Sequence, residues 1–203
     1  LIWACVKFVQ SHRPTFFVLE QVPGFRTAHG GALFRSVLSA LTASGTYKVQ
    51  SQVLNTRDHG LPQNRRRLYI VGLKKTLVRR SFCFPEPVPS LPLTELLDPR
   101  SPDDDHRRLP DTGATSQQVV RAELARLARE GVDLKHTDLL LDAGVSLAWS
   151  SRATPFSPCL LRGRRHGMWL VSRGRFLSLG EMARLQGIDS PTLRWPHGVP
   201  HAL

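Results

Sequence analysis

Helix-like and strand-like patterns alternate in the first third of the chain. Apolar residues in segment 1–11 recur on one side of a helix, and a short apolar run, residues 15–19, follows it. Segment 32–45 again has apolar residues at helical spacing, whereas residues 47–55 alternate as a strand with one buried face does. Residues 66–73 begin with two arginines and continue as an apolar strand. This alternation predicts an α/β fold with a mostly parallel sheet covered by helices.

The middle of the chain has a different character. Residues 82–111 are rich in proline, which leaves room only for a short turn of helix near residues 93–97. A second helical pattern follows at residues 117–131, and residues 167–172 form a plausible strand. We therefore expect an inserted, irregular region between two ordered parts of the sequence.

The charge balance points to a polyanionic partner. The 203 residues contain 28 Lys and Arg but 16 Asp and Glu, a formal net charge of +12. Nucleic acid is the first candidate for such a partner, and an anionic membrane surface is the second. No stretch of the sequence has the roughly 20 continuous apolar residues that a membrane span needs, so we predict no membrane insertion.

The cysteines indicate a reducing compartment. Cys5, Cys83 and Cys159 are odd in number and far apart, without the paired spacing of a zinc site or a disulfide framework. We predict no bound metal and an intracellular location, which would be the nucleus if the source is eukaryotic.

Glu20 is the first candidate for chemistry. It directly follows the apolar run, and ligands of parallel α/β sheets bind beyond the carboxyl ends of strands. Beside Phe17, Leu19 and a rigid Pro-Gly turn, desolvation would raise the pKa of this carboxyl and let it donate a proton at neutral pH. The alternative interpretation is an exposed acid at a strand end.

Arginines at the start of the last strand of this first part are the second candidate. Strand alternation places Arg65 and Arg67 on one face and Arg66 on the other, and two guanidinium groups on one face suit phosphate or the edge of a base. A basic edge strand, protected from aggregation by its charge, is the alternative.

The third candidate mixes arginines with aromatic residues near the end of the chain, a combination that grips a nucleic-acid backbone and stacks on bases. The arginines considered for DNA binding are Arg162, Arg164, Arg165 and Arg175. A solvated charged face is the alternative. Ser178 and Glu181 have the spacing of a capping box, which explains Glu181 without a catalytic role.

These three stretches, in this order, resemble the cytosine-5 DNA methyltransferase family. Residues 17–25 are similar to the family's Glu-Asn-Val motif. Residues 47–67 end in Gln63-x-Arg65-x-Arg67, as its Gln-x-Arg-x-Arg motif does, and residues 175–187 are similar to its later motif ending in Arg-Leu-Gln-Gly. The resemblance covers about the first 75 and the last 50 residues, and the combination is more specific than any one piece.

The resemblance implies a fold and a division of the chain. The fold would be part of a Rossmann-like methyltransferase sheet that uses S-adenosylmethionine, with an inserted, irregular target-recognition region. Residues 1–75 would be the carboxyl-terminal half of the catalytic domain, residues 76–150 the target-recognition region, and residues 151–203 the return to the catalytic domain.

The resemblance also implies a mechanism. Such enzymes flip a cytosine out of duplex DNA, attack its ring with a cysteine thiolate and transfer methyl from S-adenosylmethionine to ring carbon 5. Glu20 would hold and protonate ring nitrogen 3, and Arg67 would contact the flipped base or a neighbouring phosphate. Arg65 and Gln63 would support the same face, while Gln21 and Asn55 would be supporting residues.

Two departures from the family pattern limit what these 203 residues would do alone. Gln21 stands where the family has Asn, and the glycine-rich cofactor loop and the Pro-Cys nucleophile motif are not in this sequence. Cys159 follows a proline but comes after the Gln-x-Arg-x-Arg motif, so we interpret it as structural. We therefore expect the carboxyl-terminal part of an enzyme, inactive without an upstream half that carries most of the cofactor site and the thiolate.

Two alternative functions stay open at this point. One is a non-catalytic nucleic-acid-binding module derived from the same family, and the other is the same chemistry on RNA. The basic charge alone favours neither.

Overall fold

The computed structural model describes residues 1–77, 82–149, 152–161 and 168–188. It divides the chain into two compact units. Unit 1 consists of Leu1–Asn55 and Arg66–Pro87, and unit 2 of Thr56–Arg65 and Val88–Leu203.

Unit 1 is a three-stranded sheet with two helices. Helix α1 (Ile2–His12) precedes strand β1 (Phe16–Gln21), and helix α2 (Ala32–Thr42) leads to strand β2 (Tyr47–Asn55). The third strand of this sheet, β4, is Arg66–Lys74. It lies between the other two, so the strand order is β1-β4-β2.

The expected parallel pairing of this sheet is wrong for the described strands. Both β1 and β2 pair antiparallel with β4, although the β1-α2-β2 crossover makes the two outer strands run in the same direction. The reason is the ten-residue connection Thr56–Arg65, which contains no crossover helix and returns the chain in the opposite direction. The helix and strand positions themselves agree with the sequence pattern.

The core of unit 1 lies on one face of the sheet. Alternate strand residues, including Phe17 and Ile70, are buried against Val6 of α1 and Val37 of α2. The opposite face, here called the outer face, carries residues of the other parity in each strand, among them the exposed Phe16. Because side chains alternate between the two faces, each residue's parity decides which face of the sheet it joins.

The described residues of unit 2 form short strands and one long helix. Strands β3 (Gln63–Asn64) and β6 (Ser157–Pro158) form a parallel pair. The other strands, which form a sheet in the order β5-β7-β8, are β5 (Leu140–Leu141), β7 (Trp169–Leu170) and β8 (Arg175–Phe176). The helices are α3 (Ala114–Arg129) and the short α4 (Leu179–Arg184).

Two apolar clusters form the interior of unit 2. One buries Val120 and Leu127 of α3 against Trp169. The other packs the 3₁₀ turn Leu93–Leu96, which agrees with the short turn expected in the proline-rich region, against residues that include Leu185. The strand expected at 167–172 is shorter, because Val171–Arg173 already forms a 3₁₀ turn.

The two units follow different boundaries from the three segments inferred from sequence. The connection Thr56–Arg65 packs with the later part of the chain, where Gln63 pairs with Ser157 and His59 with Val88. The functional division at residues 75 and 150 stays a prediction.

Candidate active site

Glu20 lies inside strand β1 instead of following it. The strand continues to Gln21, and Glu20 sits directly opposite Tyr69 of β4. The chain then turns at Pro23, which begins a 3₁₀ turn, Pro23–Arg26. The sequence placed the strand end too early, because the pairing with β4 extends the strand through its two polar residues.

Glu20 and Arg67 form an ion pair on the outer face of the sheet. Arg67 lies two residues before Tyr69, which makes it the diagonal neighbour of Glu20 across the antiparallel ladder. Its Nε lies 2.9 Å from Oε1 of Glu20, and its Nη1 donates to the carbonyl of Arg66 at 2.8 Å. The structure thus brings together the two residues to which sequence assigns the catalytic role.

The surroundings of Glu20 differ from the desolvated pocket expected from the sequence. Its side chain is 43% exposed, whereas that of Arg67 is 16% exposed. The arginine is thus held against the sheet, while the carboxylate is open to solvent and to a ligand. The carboxylate is positioned by a cation and not by an apolar pocket.

Two further residues share the row of Glu20 across the outer face. Tyr69 pairs with Glu20 on one side and with Gln52 of β2 on the other. Their phenol and carboxamide groups add hydrogen-bonding capacity beside the acid. Sequence reasoning missed both residues, because only the register of two non-adjacent strands shows that they share a row with Glu20.

The residues predicted to support the acid lie at the ends of strands. Gln21 pairs with the buried Leu68 and so has the parity of the core face, opposite to that of Glu20. Asn55 ends β2, opposite Arg66. Their supporting roles stay predictions.

Gln63 and Arg65 lie in unit 2. Gln63 is fully buried on β3, and among the described residues neither polar atom of its carboxamide has a hydrogen-bond partner. Arg65 Nη1 lies 3.6 Å from the Sγ of Cys159, a contact across 94 residues of sequence. A substrate contact from either residue stays a prediction.

Arg175 is engaged in an ion-pair network within unit 2. It makes two hydrogen bonds of 2.8 Å to the buried carboxylate of Glu181, and its Nε lies 3.5 Å from Asp104. Glu181 also accepts from the backbone N–H groups of Ser178 and Asp98. The capping box is confirmed, and the network explains why an acid is buried there.

The other arginines proposed for DNA binding, Arg162, Arg164 and Arg165, lie outside the described residues. Within the described ranges no cluster of three His, Cys, Asp or Glu side chains has a metal-binding arrangement. No helix in the same ranges has the length and hydropathy needed to cross a bilayer. All three cysteines lie in described ranges, and none is in a disulfide.

Comparison with known proteins gives an independent assignment. The family model for C-5 cytosine-specific DNA methylase matches residues 1–191. The type II methyltransferase M.NgoBI of Neisseria gonorrhoeae is 34% identical over 188 residues, which cover 92% of this chain and 54% of that protein. M.HaeII of Haemophilus aegyptius, also a type II methyltransferase, is 31% identical over 179 residues, which cover 88% of this chain and 52% of that protein.

One solved structure has a similar fold. The Dnmt2 methyltransferase of S. pombe matches with a TM-score of 0.55 at 13% sequence identity, covering 98% of this chain and 62% of that protein. At this identity the likeness concerns the fold alone. The chain spans about half the length of the two type II methyltransferases.

Proposed function

Because this chain belongs to the C-5 cytosine-specific DNA methylase family, we propose that it is the cytosine-binding part of a DNA (cytosine-5)-methyltransferase. In this proposal the enzyme flips a cytosine out of the duplex, and Glu20 and Arg67 hold its polar edge. The observation that carries the proposal is the 2.9 Å pair between these two side chains on an open sheet face.

The pair is complementary to the edge of a cytosine. That edge carries an amino group that donates, a ring nitrogen that accepts, and a carbonyl oxygen that accepts. A glutamic acid offers one donor and one acceptor to the first two groups, and an arginine donates to the third. Arg67 is anchored by Glu20 and by the carbonyl of Arg66, so both partners of the base would be held before it binds.

Glu20 would take up a proton from solvent and pass it to the base in the reaction. Protonation of ring nitrogen 3 withdraws electrons from the ring and makes carbon 6 open to attack by a thiolate. The proton donor must reach the base, and the 43% exposed side chain of Glu20 meets that need. Tyr69 and Gln52, in the same row, would flank the base.

The methyl group transferred to carbon 5 would come from S-adenosylmethionine. The glycine-rich loop with which the family binds this co-substrate is not in the sequence. No residue of this chain is therefore assigned to it, and the thiolate is likewise assigned to an upstream half of the same enzyme.

The outer face of unit 1 supports contact with an upstream half of the same enzyme. Phe16 is 61% exposed and Val18 54% exposed, and both lie on β1, which among the described residues pairs only with β4. An apolar edge strand of this kind is a surface that proteins normally cover. The relatives of about twice the length have additional chain with which to cover it.

The organisms of the relatives bear on the cellular location expected from the sequence. The two type II methyltransferases come from bacteria, so they give no support to the nuclear location expected for a eukaryotic source. The proposal therefore concerns DNA methylation as such, independent of any compartment.

Glu20→Gln in the complete enzyme tests the proposal. Gln keeps the size of the side chain but cannot give up a proton, so we expect turnover to fall by about 10² to 10⁴ while DNA affinity changes by less than about threefold. The measurement is the transfer of labelled methyl from S-adenosylmethionine to cytosine-containing duplex DNA. Glu86→Gln, which removes the other acid of unit 1 at an exposed position, is the matched control.

The results separate the alternatives. Equal losses of turnover and affinity in Glu20→Gln would contradict the proton-donor role. A complete enzyme that binds DNA but transfers no methyl would indicate the non-catalytic module, and transfer to structured RNA in place of DNA would indicate the RNA enzyme. The 203-residue chain alone is expected to transfer none.

A further inference from the structure

The positive charge of the molecule is concentrated in unit 1. This unit contains eleven Lys or Arg residues but only two acids, Glu20 and Glu86. Glu20 is already paired with Arg67. Unit 1 therefore has far more cationic side chains than its own acids can neutralise, and such an excess attracts a polyanion.

Two of these basic residues, together with His29, lie in or near the turn that follows Glu20. Arg26 ends the 3₁₀ turn Pro23–Arg26, His29 lies three residues later, and Arg35 is in the first turn of α2. All three are exposed, and within the described ranges none of them forms an ion pair. The first turn of α2 contains no acidic residue.

Close packing holds the turn against the first residues of α2. Phe25 and Phe34 pack edge to face with ring centres 6.2 Å apart, and the backbone of Arg26 thus lies near Arg35. At Gly31, with φ of 78°, an added Cβ would lie 2.9 Å from Nη1 of Arg35 and 3.1 Å from the carbonyl oxygen of Arg26. Glycine at this position leaves room for the guanidinium of Arg35 to lie beside the backbone of Arg26.

The guanidinium of Arg35 is oriented by the backbone. Its Nη1 donates to the carbonyl oxygen of Gly30 at 2.9 Å. A guanidinium has five N–H donors, so this bond orients the group and leaves others for a ligand. The resulting set of two guanidinium groups and an imidazole suits phosphate oxygens.

The position of this set relates it to the candidate active site. The turn Pro23–Arg26 leaves the strand that carries Glu20, and it contacts both α2 and β4, the strand that carries Arg67. The turn therefore begins three residues after Glu20, at the end of the same strand.

We infer that Arg26, His29 and Arg35 bind backbone phosphates of the nucleic acid that flank the flipped cytosine. This inference rests on the proposed function for the identity of the base, but the phosphate contact has its own measurement. The three residues act as positioning residues, since they hold the strand and do not touch the reacting atoms.

The test is the salt dependence of binding to duplex DNA by the 203-residue chain. Each phosphate contact contributes about 0.9 to the slope of log K against log salt concentration. The double variant Arg26→Gln/Arg35→Gln should reduce that slope by about 1 to 2 and weaken binding several-fold at low salt. Lys7→Gln/Lys75→Gln removes two exposed charges elsewhere in unit 1 and should leave the slope nearly unchanged.

Equal effects of the two double variants would overturn the inference, because the charge would then act generally and not at a site. An unchanged slope in Arg26→Gln/Arg35→Gln would also overturn it. Circular dichroism checks that both variants fold. In the complete enzyme Arg26→Gln/Arg35→Gln should raise KM for DNA and leave kcat unchanged, whereas Glu20→Gln should lower kcat. The two parameters therefore distinguish a failure of the base chemistry from a failure of the phosphate site.

Discussion

The two units use charge in opposite ways. Unit 2 contains fourteen of the sixteen acids, and several of its described arginines pair with them, as Arg175 does with Glu181 and Arg184 with Asp98. Unit 1 contains eleven basic residues and two acids, and its sheet and helices pack through a continuous apolar core.

The difference follows from secondary structure. Unit 1 has strands of six to nine residues, and the pairing between them forms the hydrogen bonds of the backbone N–H and C=O groups. Its side chains are therefore not needed for this purpose, and its stability depends on apolar burial. The strands of unit 2 are two residues long, and its proline-rich segment satisfies backbone groups with side chains instead. Arg173 and Arg184 donate to the carbonyl oxygens of Asp98 and Leu96, which attaches that segment to the 3₁₀ turn Val171–Arg173 and to α4. Charge is therefore structural in unit 2, while in unit 1 the basic residues far outnumber the acids.

Glu181→Ala gives the sharpest test of this contrast. The buried carboxylate holds Arg175 and two backbone N–H groups, so its removal leaves a half-buried guanidinium and two donors without their acceptor. We expect a loss of about 3 kcal/mol in the free energy of unfolding of unit 2. Hydrogen exchange followed by mass spectrometry should show faster exchange in α4 and near Asp98, with unit 1 unchanged.

Glu95→Ala is the control for this variant. Glu95 is an exposed acid in the same unit, so its removal should change exchange little. Faster exchange throughout both units in Glu181→Ala would contradict the assignment of the network to unit 2.

The sequence predicted what depends on neighbouring residues. Helices α2 and α3, the short turn at Leu93 and the capping box follow from local spacing, and all are present. The resemblance to the family's motifs also selected Glu20 and Arg67, and the structure places their side chains in one ion pair.

What the sequence did not predict depends on contacts between distant residues. Strand β4 lies antiparallel between β1 and β2 because the connection Thr56–Arg65 reverses the direction of the chain. The same pairing places Gln52, Tyr69 and Glu20 in one row. Asp104, the second partner of Arg175, and Asp98, the partner of Arg184, lie about 70 to 90 residues away in the chain, and no periodicity links them. The grouping of basic residues in unit 1 was visible in the sequence only after the boundaries of the unit were known.

Acidification should also distinguish the units. Burial opposes the ionisation of Asp98, but hydrogen bonds from Ser178 and Arg184 outweigh it and lower the pKa of this carboxyl. Burial likewise opposes the ionisation of Glu123, and hydrogen bonds from Arg126 and the N–H of Ala153 outweigh it and lower its pKa. Acids with lowered pKa stabilise the fold above their unfolded values, about 3.9 for Asp and 4.3 for Glu, and this stability is lost as the pH falls further.

Unit 2 should therefore lose stability from about pH 4 downward, before unit 1 does. Hydrogen exchange at pH 5, 4 and 3, corrected for the intrinsic rate at each pH, measures the difference. Glu123→Gln should reduce the pH dependence of peptides from α3. The same acid sensitivity in the peptides of β1 and β4 would show that the contrast between the units is wrong.

The smallest effect is expected where the catalytic role is proposed. Glu20→Gln removes one member of the pair with Arg67, as Glu181→Ala removes the partner of Arg175, but the carboxylate of Glu20 is 43% exposed. Water replaces such an acid at little cost, and exposed pairs contribute less than about 1 kcal/mol. Urea denaturation of the chain should thus give nearly equal unfolding midpoints for Glu20→Gln and the unsubstituted protein, with Glu86→Gln as the control. A loss above about 2 kcal/mol would mean that the pair holds unit 1 together as Glu181 holds unit 2, and an acid with that structural role would not be available to a flipped base.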